Sequence, residues 1–352
     1  MGGGDRGEDR RRGEAPPRGG PRFRAFRIHR DARPFRAGLE LVTHAPIAPG
    51  EVTLRVAHSS INYKDALAGT NRGRILRAPV LTGGIDVAGT VIESASEPWR
   101  VGDEAFACGA GLSETIDGGY AERARLPGEA LLRPPPGLTL RDCMAIGTGG
   151  ITAAIALRRL EDVGQPTDRG PIVVTGASGG VGGFAVHLLA RTGHEVVAST
   201  GKPRAHAHLR DLGASAVIDR EAVRGEGEPR PLERGRWGGA VDTVGGATLA
   251  WLLATVRPWG NVAAIGLAGG DAYPGSVMPP ILRGVSLLGI NCVELPRTML
   301  EDCWARLGGP WRPADLDAMA PHSVPLDALP EAFEALLAGD TVGRTVIDID
   351  PG

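Results

Sequence analysis

The run Val174-Thr175-Gly176-Ala177-Ser178-Gly179-Gly180-Val181-Gly182 follows an apolar strand and opens an apolar helix. Residues of this kind at a strand-to-helix turn can hold a diphosphate. Glycines let the backbone approach phosphate oxygens, and free N–H groups at the helix N-terminus meet their negative charge. Ser178, Gly179, Gly180, Val181 and Gly182 are the expected contacts. Ala177 and Ser178 shift the spacing away from a strict G-x-G-x-x-G, so a ligand-free glycine turn is the alternative.

The next strand selects the nucleotide. NAD-dependent enzymes place an acid at its end, on the ribose 2′-hydroxyl. Here the strand ends Ala198-Ser199-Thr200-Gly201-Lys202-Pro203-Arg204, without Asp or Glu. Thr200, Gly201, Lys202 and Arg204 suit a 2′-phosphate, so the expected cofactor is NADPH. Of 39 Lys and Arg residues only Lys64 and Lys202 are lysines, so this lysine is an exception. A solvated cation at a helix start is the bland reading, but the helix dipole disfavours a cation there.

These groups need a frame. Apolar strands at 171–177, 194–200, 216–220, 239–244, 261–267 and 285–292 alternate with helical runs such as 179–193 and 203–213. That rhythm predicts a Rossmann doubly wound parallel sheet over 147–300. Before it, short strands at 39–41, 52–60, 84–94 and 102–108 with glycine and proline corners predict a β-rich domain over 23–146. A helix at 329–339 and a strand at 343–350 end the chain. Residues 1–22, mostly Gly, Arg, Pro and Glu, read as a disordered tail.

The net charge of -2 argues against a nucleic-acid partner. No stretch of unbroken apolar sequence approaches a membrane span, and the N-terminus lacks an apolar signal core. Four scattered cysteines form no C-x-x-C pair and read as reduced thiols, which fits a cytoplasmic location.

The segment Ser59-Ser60-Ile61-Asn62-Tyr63-Lys64-Asp65-Ala66-Leu67 resembles the quinone-oxidoreductase-like branch of the medium-chain dehydrogenases/reductases. So do Gly84-Ile85-Asp86-Val87-Ala88-Gly89, Gly147-Thr148-Gly149-Gly150, Asp242-Thr243-Val244-Gly245, Met278-Pro279-Pro280-Ile281-Leu282-Arg283-Gly284 and Gly343-Arg344-Thr345. Together these segments, spread over about residues 35–350, most resemble the acryloyl-CoA reductase (NADPH) subfamily. Thr82-Gly83 departs from the pattern, where a single proline is expected.

The resemblance implies an α/β chain with a GroES-like domain (23–146 and 301–352) around an inserted Rossmann domain (147–300). It implies a homodimer, with the strand at 285–292 a candidate pairing edge. It also implies a site without metal. Zinc needs tetrahedral nitrogen and sulfur donors, yet Asn62 and Ile85 stand where the family's zinc enzymes carry Cys and His. The implied reaction is hydride addition to the β carbon of a short α,β-unsaturated thioester, followed by α protonation. Donors must then face the carbonyl oxygen as negative charge grows there.

Tyr63 is the expected polar contact at the nicotinamide and the candidate proton donor; a tyrosine bonded to backbone is the alternative. Asn62 is expected to orient a carbonyl or the carboxamide, and Lys64 with Asp65 to form a loop-fixing ion pair. Asp86 reads as structural. Thr148 touches the cofactor or caps a helix. Leu267, Arg220 and Arg344 are cofactor contacts by resemblance. A quinone or enone reductase is the competing enzyme reading. A nucleotide-binding sensor or RNA-binding relative belongs to a different class.

Overall fold

The computed structural model describes residues 20–224, 227 and 230–349; the tail expected over 1–22 lies almost wholly outside them. In chain order the elements are β1 (Phe23–His29), β2 (Arg36–Val42), β3 (Glu51–Ile61), α1 (Tyr63–Gly69), β4 (Val80–Thr82), β5 (Asp86–Ser94), β6 (Glu104–Cys108), β7 (Arg123–Pro127), α2 (Leu140–Asp162) and β8 (Ile172–Val174). There follow α3 (Gly180–Arg191), β9 (Val196–Ser199), α4 (His206–Asp211), β10 (Ala216–Ile218), β11 (Trp237–Asp242), α5 (Gly246–Thr255), β12 (Val256–Ala264) and α6 (Met278–Arg283). Last come β13 (Ser286–Gly289), α7 (Arg297–Gly308), α8 (Leu316–Met319), β14 (His322–Pro325), α9 (Leu329–Leu337) and β15 (Thr345–Asp348).

Strands β8 to β13 form one parallel sheet in the order β10-β9-β8-β11-β12-β13. With β8 as its first strand this is the dinucleotide order 3-2-1-4-5-6, whose chain reversal between β8 and β11 opens a crevice at the strand C-termini. The expected strands are all present with shifted bounds: the one expected over 171–177 runs only Ile172–Val174, because the glycine turn begins at Thr175, whereas β12 begins five residues before the expected 261.

The β-rich half holds two sheets. One is β2-β1-β4, antiparallel. The segment at Thr82-Gly83 that departs from the family pattern carries β4, with Thr82 N–H donating to Asp117 Oδ1 at 2.7 Å. The other runs β14-β15-β3-β5-β6, with β7 beside β3. Its register sets Thr345 opposite Ile61, His58 opposite Ala88 and Asp86 opposite Cys108. Three strands far apart in sequence thus deliver Arg344, Ser60–Asn62 and Asp86 to one end of the sheet.

The long helix α2 is not among the elements expected from sequence; Gly147 and Gly149-Gly150 interrupt its helical pattern. On length and composition alone it could cross a membrane, but 78% of its apolar window is buried inside the protein. It joins the halves. Its flank packs on α3, α7 and α8 through Leu157, Phe184, Trp304 and Met319. The expected boundary at 146/147 falls on the kink in α2, and that at 300/301 falls inside α7.

Candidate active site

The kink of α2 organises the site. Gly147 has φ 47°, ψ -160°, and a Cβ there would lie 2.3 Å from Arg344 Nη2 and 2.7 Å from Asp86 Oδ2. Only glycine combines that backbone with that proximity. The break leaves a helix C-terminus before it and an N-terminus after it, each with unpaired backbone groups. Arg344 Nε donates to Ala145 O at 2.9 Å at the first. Asp86 accepts from Thr148 N–H (3.0 Å to Oδ2) and Thr148 Oγ1–H (2.5 Å to Oδ1) at the second. A cation at the C-terminus and an anion at the N-terminus are the signs the dipole favours. The two side chains also meet each other, Arg344 Nη2 to Asp86 Oδ2 at 3.4 Å, both almost fully buried.

Asp86, read from sequence as structural and bonded to backbone, is the hub. Its Oδ2 also accepts from Ser60 Oγ–H at 2.5 Å and Asn62 Nδ2–H at 2.7 Å. The available signal was an acid inside an apolar strand, since a buried charge requires partners. Asn62 has its amide fully engaged: Nδ2 donates to Asp86 and to Asp65 (3.2 Å), and Oδ1 accepts from Arg344 Nη1 (3.1 Å). It also caps α1, whose first residue is Tyr63. Tyr63 is 44% exposed, and its hydroxyl has no protein partner among the described residues. Asn62 and Tyr63 are therefore neighbours with opposite roles: one is locked, the other faces outward.

The expected Lys64–Asp65 pair does not form. Lys64 Nζ pairs with Glu114. Asp65 turns inward, 1% exposed, and accepts from the N–H groups of Asn62 (2.9 Å) and Ile85 (3.0 Å). Burial, then the nearby Asp86 charge, raise its pKa to about 7.

The glycine turn sits at the crevice mouth. Helix α3 starts at Gly180 with Gly179 as N-cap and no side-chain cap, which leaves N–H groups of its first turn open to an anion. Gly182 is required by proximity: a Cβ would stand 2.3 Å from Gly176 O. Gly343 N–H donates to Ser178 O at 3.0 Å, tying the turn to the lead-in of β15. Arg344 passes under it, its Cγ 2.9 Å from where a Cβ on Gly180 would be. Arg344 is 4% exposed, with its donors spent inside the protein.

Past β9, Ser178 and Thr200 hydroxyls share a 2.9 Å hydrogen bond. Lys202 and Arg204 donate to the carbonyls of Thr341 (2.6 Å) and Asp340 (2.8 Å). Burial, then Arg204, lower the Lys202 pKa. Arg220 lies over Gly201, 75% exposed. The structure thus gathers Thr200, Gly201, Lys202, Arg204 and Arg220 at one edge. Leu267, 59% exposed, follows β12 on the other side of the crevice. Asp242, given no site role from sequence beyond its place in the family-like segment 242–245, is fully buried beneath the crevice and accepts from Thr175 Oγ1–H at 2.6 Å and Gly245 N–H at 2.9 Å.

Among the described residues no group of three or more His, Cys, Asp or Glu could hold a metal. The donor set around Asn62 and Ile85 does not fit zinc. Burial raises the pKa of all four thiols, Cys303 to about 12, so none is poised as a thiolate. The glycine turn and the cation edge, by contrast, fit a phosphorylated dinucleotide.

Relatives carry the same outline. The family model of the alcohol dehydrogenase GroES-like domain matches residues 48–136, and that of the zinc-binding dehydrogenases matches 180–307. An Escherichia coli protein named as an acrylyl-CoA reductase, AcuI, is 42% identical over 89% of this chain and 96% of its own. A Bacillus subtilis protein named as a quinone oxidoreductase, YhfP, is 40% identical over 93% and 99%. The Salmonella enterica yhdH oxidoreductase, solved in complex with NADP, superposes with a TM-score of 0.87 at 40% identity, over 93% of this chain and all of that one. YhfP, solved with NAD bound, gives 0.87 at 40%, over 93% and 99%. The chain belongs to the zinc-free, quinone-oxidoreductase-like family of medium-chain dehydrogenases/reductases that includes these proteins.

Proposed function

We propose that this enzyme reduces the C=C bond of acryloyl-CoA, or a similar short α,β-unsaturated thioester, with NADPH. Bound NADPH supplies the hydride that adds to the β carbon. Ser178, Gly179, Gly180, Val181 and Gly182 hold its diphosphate, and Thr200, Gly201, Lys202, Arg204 and Arg220 its 2′-phosphate. Leu267 lies against the nicotinamide side. Tyr63, whose hydroxyl is unspent, donates to the substrate carbonyl oxygen or protonates the α carbon. Asn62, Thr148 and Arg344 set the position of Tyr63 through Asp86. The observation that carries the reading is the run 198–204 after β9, which has no acid of its own and sets Lys202 and Arg204 beside Arg220, in a chain this similar to AcuI. The name of YhfP supports a quinone or enone reductase as the second reading.

Absorbance at 340 nm tests both. Rapid oxidation of NADPH by acryloyl-CoA, and not by 1,4-benzoquinone, is expected. Lys202→Met should raise the KM for NADPH roughly 10- to 100-fold, the worth of one charge-assisted hydrogen bond, and leave that for NADH nearly unchanged. Equal rates with both cofactors in the parent enzyme would discard the 2′-phosphate site. NADPH binding without thioester turnover would put quinones first.

The same reading makes the protein a cytoplasmic homodimer. Among the described residues β13 ends the parallel sheet with an unpaired edge. Around it Trp259, Val277, Ile281 and Leu282 are 61–72% exposed, an apolar surface suited to a second copy. Sedimentation at micromolar concentration should give twice the chain mass, and Ile281→Arg should halve it; a monomeric parent protein ends the proposal. The GroES-like domain is taken to resume after α8, since α7 and α8 pack on α2 and α3.

A further inference from the structure

Arginine is so abundant here that sequence alone singles out none for the phosphates of a CoA ester. The fold separates one set. A cavity of 390 Å³ lies between the β1–β2 turn and residues 71–76, just past the C-terminal end of α1. Its lining includes Arg30, Arg33, Phe35, Asn71, Arg72 and Arg74.

These guanidinium groups are not equivalent. Arg30 forks onto Asp31 at 2.7–2.8 Å and reaches Leu76 O at 3.0 Å. Arg72 pairs with Glu334 at 2.9 Å. Arg33 and Arg74 are exposed and have no carboxylate at ion-pair distance among the described residues. Four cations therefore line a concavity whose one lining anion, Asp31, is already forked by Arg30; Arg74 donates to no carboxylate among the described residues, and Arg33 spends one N–H on Ala32 O at 3.4 Å. Guanidinium forks match phosphate oxygens in pairs, which a lysine ammonium does not. Half-buried Phe35 adds an aromatic face, on which a purine ring can stack.

Position matters as much as charge. Tyr63 begins α1 and Gly69 ends it, so at helical rise about 10 Å of helix axis separate the backbone of Tyr63 from the start of the arginine segment. An extended pantetheine arm spans more than that. A thioester at Tyr63 could therefore place its nucleotide end in this cavity.

We propose that the arginine-lined cavity beyond α1 binds the phosphorylated adenosine end of the acyl-CoA, with Arg33 and Arg74 as the principal contacts. This rests on the thioester reading of the substrate. It also gives the site a preference for CoA esters over bare enones and quinones.

The test is the double variant Arg33→Ala/Arg74→Ala, both positions being at the surface and away from Tyr63, Asn62 and the cofactor turn. Its KM for acryloyl-CoA should rise at least tenfold. Its kcat, its KM for NADPH and its kcat/KM for acryloyl-pantetheine, which lacks the nucleotide, should match the parent. An unchanged KM for acryloyl-CoA, or an equal loss with acryloyl-pantetheine, overturns the site. Calorimetry with adenosine 3′,5′-bisphosphate under saturating NADPH separates the two claims. Binding to the parent and loss in the variant support the site even if acryloyl-CoA is not turned over, in which case only the substrate reading falls. Equal binding to both, or to neither, overturns the site while leaving turnover of acryloyl-CoA untouched.

Discussion

Arg344→Met is expected to lower the unfolding free energy by about 3–5 kcal/mol, the usual consequence of removing one partner from a buried ion pair. The side chain is almost fully buried and donates to Ala145 O, Asn62 Oδ1 and Ser60 Oγ as well as meeting Asp86. Methionine fills a similar volume but satisfies none of these acceptors. Asp86 is left as a buried carboxylate with no cation in contact. The first half of α2 also loses the group that covers its carbonyl end at the Gly147 kink. Urea unfolding reads the loss directly. Arg344→Lys should recover only part of it, because one ammonium cannot reach acceptors disposed around a planar fork. A loss under about 1 kcal/mol would mean that the network is a surface-like pair, and the hub reading would fall. Activity should drop together with stability, since Asn62 and the start of α1 lose an anchor.

The outcome bears on what a sequence can reveal. The glycine turn and the cation edge were legible because each is contiguous: Gly176 to Gly182, and Thr200 to Arg204. Their physics is local, a strand end, a helix start and a missing acid. The β15–β3–β5 register is not local. It brings Arg344 to Asn62 and Asp86, and no spacing along the chain announces that. The resemblance puts Arg344 at the cofactor; the fold sets it beneath the turn with its donors on Ala145 O, Asn62 Oδ1 and Ser60 Oγ, and the adjacent Gly343 N–H bonded to Ser178 O. The kink in α2 was hidden for a related reason. Glycines that end most helices here serve two abutting helix ends, which only the buried Arg344 and Asp86 make tolerable. Lys64 and Asp65 are adjacent, so a pair between them looked natural. Consecutive residues do not share a helix face, however, and α1 sends one toward Glu114 and the other inward.

That inward carboxylate gives the second large effect, a pH dependence. Burial and the Asp86 charge push Asp65 up to about 7 in the folded protein, from 3.8 for a free aspartate. Between those two values the native state keeps a proton that the unfolded chain has released. Stability from this group is therefore complete below pH ~4 and is lost as pH rises to ~7, at up to about 1.4 kcal/mol per unit. Buried histidines act with the opposite sign. His187, pushed down to about 4 by burial and then by Arg191, loses stability as pH falls below the usual histidine range. The whole-protein profile mixes the two, so the difference between the parent and Asp65→Asn is the quantity to measure. Asparagine keeps one acceptor oxygen and sets its NH2 group against the N–H donor of either Asn62 or Ile85, a penalty that does not vary with pH. The variant should therefore be less stable than the parent at pH 5, and the gap should narrow by pH 8. A gap of constant size would show that Asp65 stays ionised across the range. The two carboxylates on the Asn62 amide would then both carry charge beside the single guanidinium of Arg344.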